Sequence, residues 1–319
     1  MTVLVKIFDY LLSAIPLGMT FLYGSVGEIL IEKVGHLNLG IPGVMCVGAA
    51  SGCAALQAMY ESGMPSVLIV IISILAAFVG SAAMGAVYSL LTVTLKANQN
   101  VTGLAMTTFG VGMMKFVMSK LTNIKYLYAL KYFRFPFAES DNSLKYCGVM
   151  VFLAIIIAII ASFVLNKTRT GLYIKAIGEN PATADAVGIN VNGYKYAVTC
   201  IGCGISGLGG LFYIMDYAGS QEAYLSIEGL GWLSIALVIF ALWKPIVSIF
   251  GSALFGALYV AGSYIPGIRE LKVSMAATPL LKMLPYVVTI IVLVIISARN
   301  KKENQPPQSL GMTYFREER

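Results

Sequence analysis

The residues of this chain that could do chemistry are few, and most are polar groups set among apolar neighbours. The clearest group is Gly178 to Ile189, GENPATADAVGI, which reads as a short helix with both ends written in. Asn180 is a good N-cap, because its side-chain oxygen can accept from the free amides of the first turn. Pro181 follows at the first helical position, where its missing N–H costs nothing. Residues 182–187 can make about two turns, and Gly188 suits the left-handed residue that ends them. With Gly178, Glu179 and Asp185 these residues form a polar element too short to stand alone in water. An element of that kind is suited to presentation to a partner.

Other polar groups sit where helices are interrupted. Asn38 lies in Gly35 to Gly43 (GHLNLGIPG), where glycines and a proline break up an apolar run. Asn98, Gln99, Asn100 and Thr102 cluster in KANQNVTG, with Thr107 and Thr108 beyond. Amides and hydroxyls at such places can hydrogen-bond a polar solute along a path, or they can staple neighbouring helices. Trp243-Lys244-Pro245 is a third interruption, either part of a path or a tight interfacial turn. Glu28 and Glu32 are one helical turn apart. An intramembrane carboxylate is a functional candidate, but a nearby loop and Lys33 point instead to a surface pair. His36 is the only histidine, so a histidine-based metal site or proton relay has little to build on. There is no GxxxxGK[ST] loop, HExxH or triad, so any ATP-driven step needs its ATPase on another polypeptide.

The elements that must position these groups are membrane spans. The chain is 58% hydrophobic and 12% charged, against about 25% charged for a soluble domain. Residues 67–91 and 147–165 carry no charge and are each long enough for a bilayer core that needs about 20 residues. No cleavable secretory signal is expected. Nine spans are expected, at 10–27, 39–60, 67–91, 101–118, 147–165, 196–215, 229–243, 246–264 and 284–298. The fold class is therefore an all-α polytopic transmembrane bundle, with a membrane-embedded body over 1–298 and a polar loop at about 166–195. Residues 299–319, with KKENQPPQ among them, read as a disordered, solvated tail. Small residues recur four apart in Ala77, Ser81 and Gly85, in Gly202, Ser206 and Gly210, and in Ser248, Ser252 and Gly256. Such rows let helix backbones approach closely.

The five cysteines (Cys46, Cys53, Cys147, Cys200, Cys203) lie in or beside apolar spans and read as packing residues. A net charge of +7 fits a lipid-embedded protein with basic loops, and no nucleic-acid partner is expected. The segment 119–145 interleaves lysine and arginine with tyrosine and phenylalanine, which suits the headgroup level of a bilayer or a docking surface outside it. With the tail inside, twelve of the 22 basic residues fall on the inner side. Charge alone leaves the orientation open.

GENPATADAVGINV, followed by Lys195 and a small-residue span, resembles the cytoplasmic coupling segment of permeases in the branched-chain amino acid and ribose class of ABC importers. Three further blocks, Gly27 to Ala49, Leu90 to Met113 and Gly231 to Pro245, carry the same likeness in the same order. They are most similar to permeases for nucleosides and simple sugars. Departures fall at Pro42, Ala241 and Lys244. The resemblance implies a non-enzymatic subunit of a bacterial-type cytoplasmic membrane that translocates a nucleoside or sugar. Branched-chain amino acids, or an ion-coupled transporter, are the alternatives. It also implies that Gly178, Glu179, Asn180, Pro181, Asp185 and Gly188 couple the chain to its ATPase, and that Asn38, Asn98, Gln99, Asn100 and Thr102 serve the path. The implied partners are two cytoplasmic ATPase subunits, which use the ATP and magnesium, a second permease copy and an extracytoplasmic binding protein. No cofactor is expected in this chain.

Overall fold

The structure is a computed structural model that describes residues 2–60, 62–121, 148–264, 278–299 and 305–315. Its elements are all helical. They are α1 (Thr2–Lys33), α2 (Ile41–Tyr60), α3 (Ser66–Ser89), α4 (Gln99–Lys120), α5 (Val149–Lys167), α6 (Arg169–Glu179), α7 (Pro181–Ala186), α8 (Val191–Phe212), α9 (Ile227–Phe240), α10 (Pro245–Tyr264), α11 (Thr278–Leu281) and α12 (Leu284–Arg299). A π-helical turn over Leu90–Thr94 extends α3, and another over Tyr213–Ala218 extends α8. A 3₁₀ turn, Gln221–Ser226, leads into α9.

Among the described residues, eight helical stretches are long and apolar enough to cross a membrane, from Ala14–Lys33 to Pro245–Gly262. The ninth expected span corresponds to α12, whose 16 residues fall short of the roughly 20 that a bilayer core needs. The span count is therefore corrected to eight long helices and one shorter apolar one. The basic and aromatic segment 119–145 lies outside the described residues from 122 onward, and so does Cys147.

Three of the long stretches form the centre. The windows in α1, α8 and α2 are 94%, 83% and 72% buried, whereas those in α3 and α5 are each 33% buried. α1 packs on α8, α9 and α10, and α2 on α3, α4 and α8. The outer helices turn large apolar side chains outward, including Leu75, Val79, Phe152, Ile160 and Phe163. In a bilayer that surface needs no further cover, since lipid is as apolar as leucine.

The expected small-residue rows make the central contacts. A Cβ on Gly27 would sit 2.2 Å from the Gly202 carbonyl oxygen, and one on Gly202 would sit 2.5 Å from that of Gly27. Ser206 Oγ donates to the Gly24 carbonyl at 3.2 Å, and Ser81 Oγ donates to that of Val44 at 3.2 Å. α10 meets α1 in the same way, with the Ser252 carbonyl packed on Gly18. Helix backbones at this separation gain dispersion contacts that larger side chains would prevent. Tyr23 adds a hydroxyl bond to the Met150 carbonyl at 2.7 Å, tying α1 to α5.

Candidate functional site

The polar groups gather at one end of the bundle, where α1 ends, α2 and α4 begin, α6 and α7 lie, and α9 turns into α10. Residues 34–40 are non-helical yet mostly buried: Val34, His36 and Asn38 are each at most 1% exposed, and Leu37 and Leu39 are half-buried. Buried backbone of this kind must find partners, and side chains from three helices supply them. Leu37 N donates to Gln99 Oε1 at 2.8 Å, and Asn38 N donates to Glu28 Oε1 at 3.2 Å. The Leu37 carbonyl accepts from the Tyr88 hydroxyl at 2.7 Å, and that of Leu39 accepts from Thr107 Oγ1 at 2.8 Å. Asn38 uses its own side chain here, accepting from Gly40 N at 2.9 Å and facing Cys203 Sγ at 3.6 Å. His36 Nδ1 lies 2.9 Å from Thr199 Oγ1. Burial, and then the positive charge of Lys195, holds the His36 imidazole well below its ordinary pKa.

Glu28 and Glu32 differ from the surface pair expected. Both are buried, because α1 continues as helix to Lys33 and runs between α8 and α9. Glu32 accepts from Trp243 Nε1, and one oxygen of Glu28 takes the Asn38 amide, with the Glu32 carboxyl group beside it. The Trp243-Lys244-Pro245 interruption is a tight reversal between α9 and α10. Leu242 and Trp243 both adopt φ of +55°, a conformation that costs roughly 1–2 kcal/mol per non-glycine residue. The Glu32 bond helps hold that turn. Asp216, 3% exposed, lies on the π-helical turn that ends α8. It falls one residue beyond the expected span and within the observed apolar stretch Val191–Ala218.

The 178–188 segment folds as its residues dictate. Asn180 caps α7 by accepting from Thr183 N at 3.0 Å, Pro181 opens the helix, and Gly188 follows at φ +87°. Glu179 and Asn180 are exposed, and Ala184 is the buried residue that seats the six-residue helix. Gly178 is a wedge point: a Cβ there would lie 2.2 Å from the Lys33 carbonyl oxygen. The other polar candidates are spread out. Asn98 caps α4, accepting from Asn100 N and Val101 N at 3.0 and 3.2 Å, and both asparagines face outward. Gln99 and Thr102 are buried, and Thr102 Oγ1 donates back to the Asn98 carbonyl at 2.8 Å. Gln99 is thus joined to the 34–40 break beside Asn38, while Asn98 and Asn100 are not.

Residues 305–315 depart from the solvated tail expected of 299–319. Pro307 and Ser309 are buried beside Gly178. Ser309 N and Oγ both donate to the Gly178 carbonyl, at 2.9 and 2.6 Å. Tyr314 OH donates to Asp185 Oδ2 at 2.8 Å, and Lys96 Nζ donates to the Tyr314 carbonyl at 2.7 Å. Pro307, which is buried, and Tyr314, which packs against the apolar core, are the signal for docking that the polar composition hid, whereas Met312 and Phe315 stay exposed. Between this segment and α7 lies a groove lined by Glu179, Pro181, Ala182, Met312 and Phe315. Among the described residues, no group of His, Cys, Asp or Glu converges to hold a metal ion.

Known proteins match the chain along most of its length. The profile of a family described as branched-chain amino acid transport system / permease component matches residues 7–293. The nucleoside ABC transporter permease protein NupC of Lactococcus lactis is 31% identical over 306 residues, spanning 92% of this chain and 93% of that protein. The guanosine ABC transporter permease protein NupQ of Bacillus subtilis is 27% identical over 97% of this chain and 96% of its own. TsgC13 of Haloferax volcanii, provisionally named a glucose ABC transporter permease protein, is 30% identical over 74% of this chain and 71% of its own.

Proposed function

The chain belongs to the branched-chain amino acid transport system / permease component family and is a membrane permease subunit of an ABC-type transporter; from that premise we propose that it carries a nucleoside inward across a cytoplasmic membrane, with a simple sugar as the second choice. The observation that carries this choice is likeness over almost the whole chain to proteins named for nucleoside and guanosine transport. The chemistry of α4 supports it. Its outward positions include Asn100 and Thr108, with Asn98 at its cap, and it carries no acidic residue. Neutral, hydroxyl-rich solutes need amides and hydroxyls, whereas an amino acid would need partners for two charges. Asn38, Gln99 and Thr102 back these positions from within the wall.

In this reading the end that carries α7 faces the cytoplasm, and α7 is the coupling element that receives movement from two ATPase subunits. Glu179, Asn180, Pro181 and Asp185 supply its surface, and Gly178 and Gly188 set its two ends. The contacts of α7 must differ between the nucleotide-bound and nucleotide-free states, since a partner shifts an equilibrium only by its differential interaction. A second permease copy and an extracytoplasmic binding protein complete the assembly. The buried Glu28, Glu32 and Asp216 are the kind of group an ion-coupled carrier would use, but the family speaks for ATP drive.

The test is uptake by the complete complex in proteoliposomes, with labelled nucleoside, ribose and leucine in competition. ATP-dependent uptake with the nucleoside competing best is expected. Transport of leucine alone would remove the nucleoside reading. Uptake driven by an ion gradient without the ATPase would remove the ATP-driven one. Orientation is tested by Thr183→Cys, which should react with a membrane-impermeant reagent only after cells are permeabilised. A cysteine placed within 119–145 should be labelled from outside, and the reverse pattern would invert the sides.

A further inference from the structure

We propose that residues 305–315 act as a strap that couples α7 to the buried 34–40 break, with Gln99 and Tyr314 as the positioning residues through which movement passes; this rests on the permease reading above. The bonds form one continuous course. At the α7 end, Tyr314 OH donates to Asp185 Oδ2 at 2.8 Å, and Ser309 Oγ holds the carbonyls of Ile177 and Gly178 at 3.2 and 2.6 Å. At the other end, Gln99 Nε2 donates to the Met312 carbonyl at 3.1 Å, while Gln99 Oε1 accepts from Leu37 N at 2.8 Å. Both ends of one buried amide are therefore occupied, one by the strap and one by the break between α1 and α2. The Leu37 carbonyl continues the course to the Tyr88 hydroxyl on α3.

Two features suit this course to transmission. The six residues of α7 cannot hold a rigid position by themselves, so whatever grips Asp185 and Gly178 decides what its displacement pulls. The receiving segment is non-helical and fixed by single side-chain bonds, and can therefore take a second arrangement without unfolding a helix. Gly35, at φ +84°, lies within that segment and faces the strap, since a Cβ there would meet Ser309 Oγ at 2.6 Å. Displacing α7 outward draws the strap with it, and Gln99 must then either carry Leu37 along or release it. The quantity that reports this coupling is the number of ATP molecules hydrolysed per solute taken up.

That ratio is measured in the complete reconstituted complex for the unaltered chain, Tyr314→Phe, Gln99→Leu and the double variant. The single variants should assemble with the ATPase in normal amounts and raise the ratio about 3- to 10-fold. The double variant should be no worse than the poorer single one, because both interrupt the same course. Unchanged ratios within 2-fold, or additive effects, overturn the strap. Loss of assembly with an unchanged ratio in the remaining complex overturns it too. A second measurement needs no substitution. Amide hydrogen exchange over 305–315 and 34–40 should change together between nucleotide-free and nucleotide-bound complex, and a change in 34–40 without the strap refutes the proposal. If the unaltered complex shows no ATP-dependent uptake of any solute, the permease reading fails and the strap falls with it. If it imports leucine, the strap is tested unchanged.

Discussion

The middle of the bundle and its polar end are held by opposite means. In the middle, α1, α2 and α8 meet through small residues, with backbone against backbone, as at Gly27 and Gly202. No single bond decides that contact; shape does. At the polar end the backbone is irregular, and individual side chains hold it one bond at a time, as Gln99, Glu28 and Tyr88 hold residues 37 and 38. The first arrangement has one way to fit and resists change. The second can exchange partners, which is the property a part that must move requires.

The largest effect that would break this contrast is expected at Gly27. Gly27→Val puts a branched side chain where even a Cβ lies 2.2 Å from a carbonyl oxygen. Overpacking costs typically 1–3 kcal/mol and more against rigid backbone, so the variant should be lost from the monodisperse detergent-soluble fraction. Near-normal recovery would show that the middle is more yielding than its contacts indicate.

Next comes Trp243→Phe, which keeps the ring but removes the donor to buried Glu32. An unsatisfied buried acceptor costs about 1–3 kcal/mol, and two left-handed residues are set beside it. A clear fall in thermal midpoint with retained folding is expected, and no change would remove Glu32 as the support of that turn.

His36 sharpens the comparison through pH. Its folded pKa is lowered by burial and by Lys195, whereas an unfolded histidine titrates near 6.5. The unfolded state then binds more protons as pH falls, so its stabilising contribution is fully present above about pH 6.5 and is lost as pH falls below it. Thermal midpoints should drop from pH 7 to pH 5, by up to about 1.4 kcal/mol of stability per unit in that window. His36→Gln should flatten this part of the curve.

The smallest effect on stability, about 1 kcal/mol, is expected from Asn180→Ala, which deletes the α7 cap. Gly188→Val adds strain at φ +87°. Both variants should reach the membrane yet lose solute-stimulated ATP hydrolysis. Normal stimulation in both would falsify the coupling role of α7.

What could be read from sequence follows the same division. The α7 cap, its proline and its closing glycine were legible because each acts within four residues of itself. The small-residue rows were legible because their spacing is that of a helix face. The burial of Glu28 and Glu32 was not, since the groups that enclose them come from α8, α9 and Trp243, far along the chain. Local proximity to Lys33 pointed the wrong way. The docking of 305–315 was obscured because its partners, Gly178, Asp185 and Gln99, lie far along the chain and the polar run before it dominates the local composition.

The π-helical turn that carries Asp216 has a consequence for chain length. A π turn holds one residue more than the α turn it replaces, so α8 contains an extra residue between Tyr213 and Ala218. Removing one residue there would restore α geometry and turn every later position in the helix by about 100°, swinging Asp216 or its successor to a different face. A relative that lacks the bulge would differ from this chain by a one-residue gap at that point.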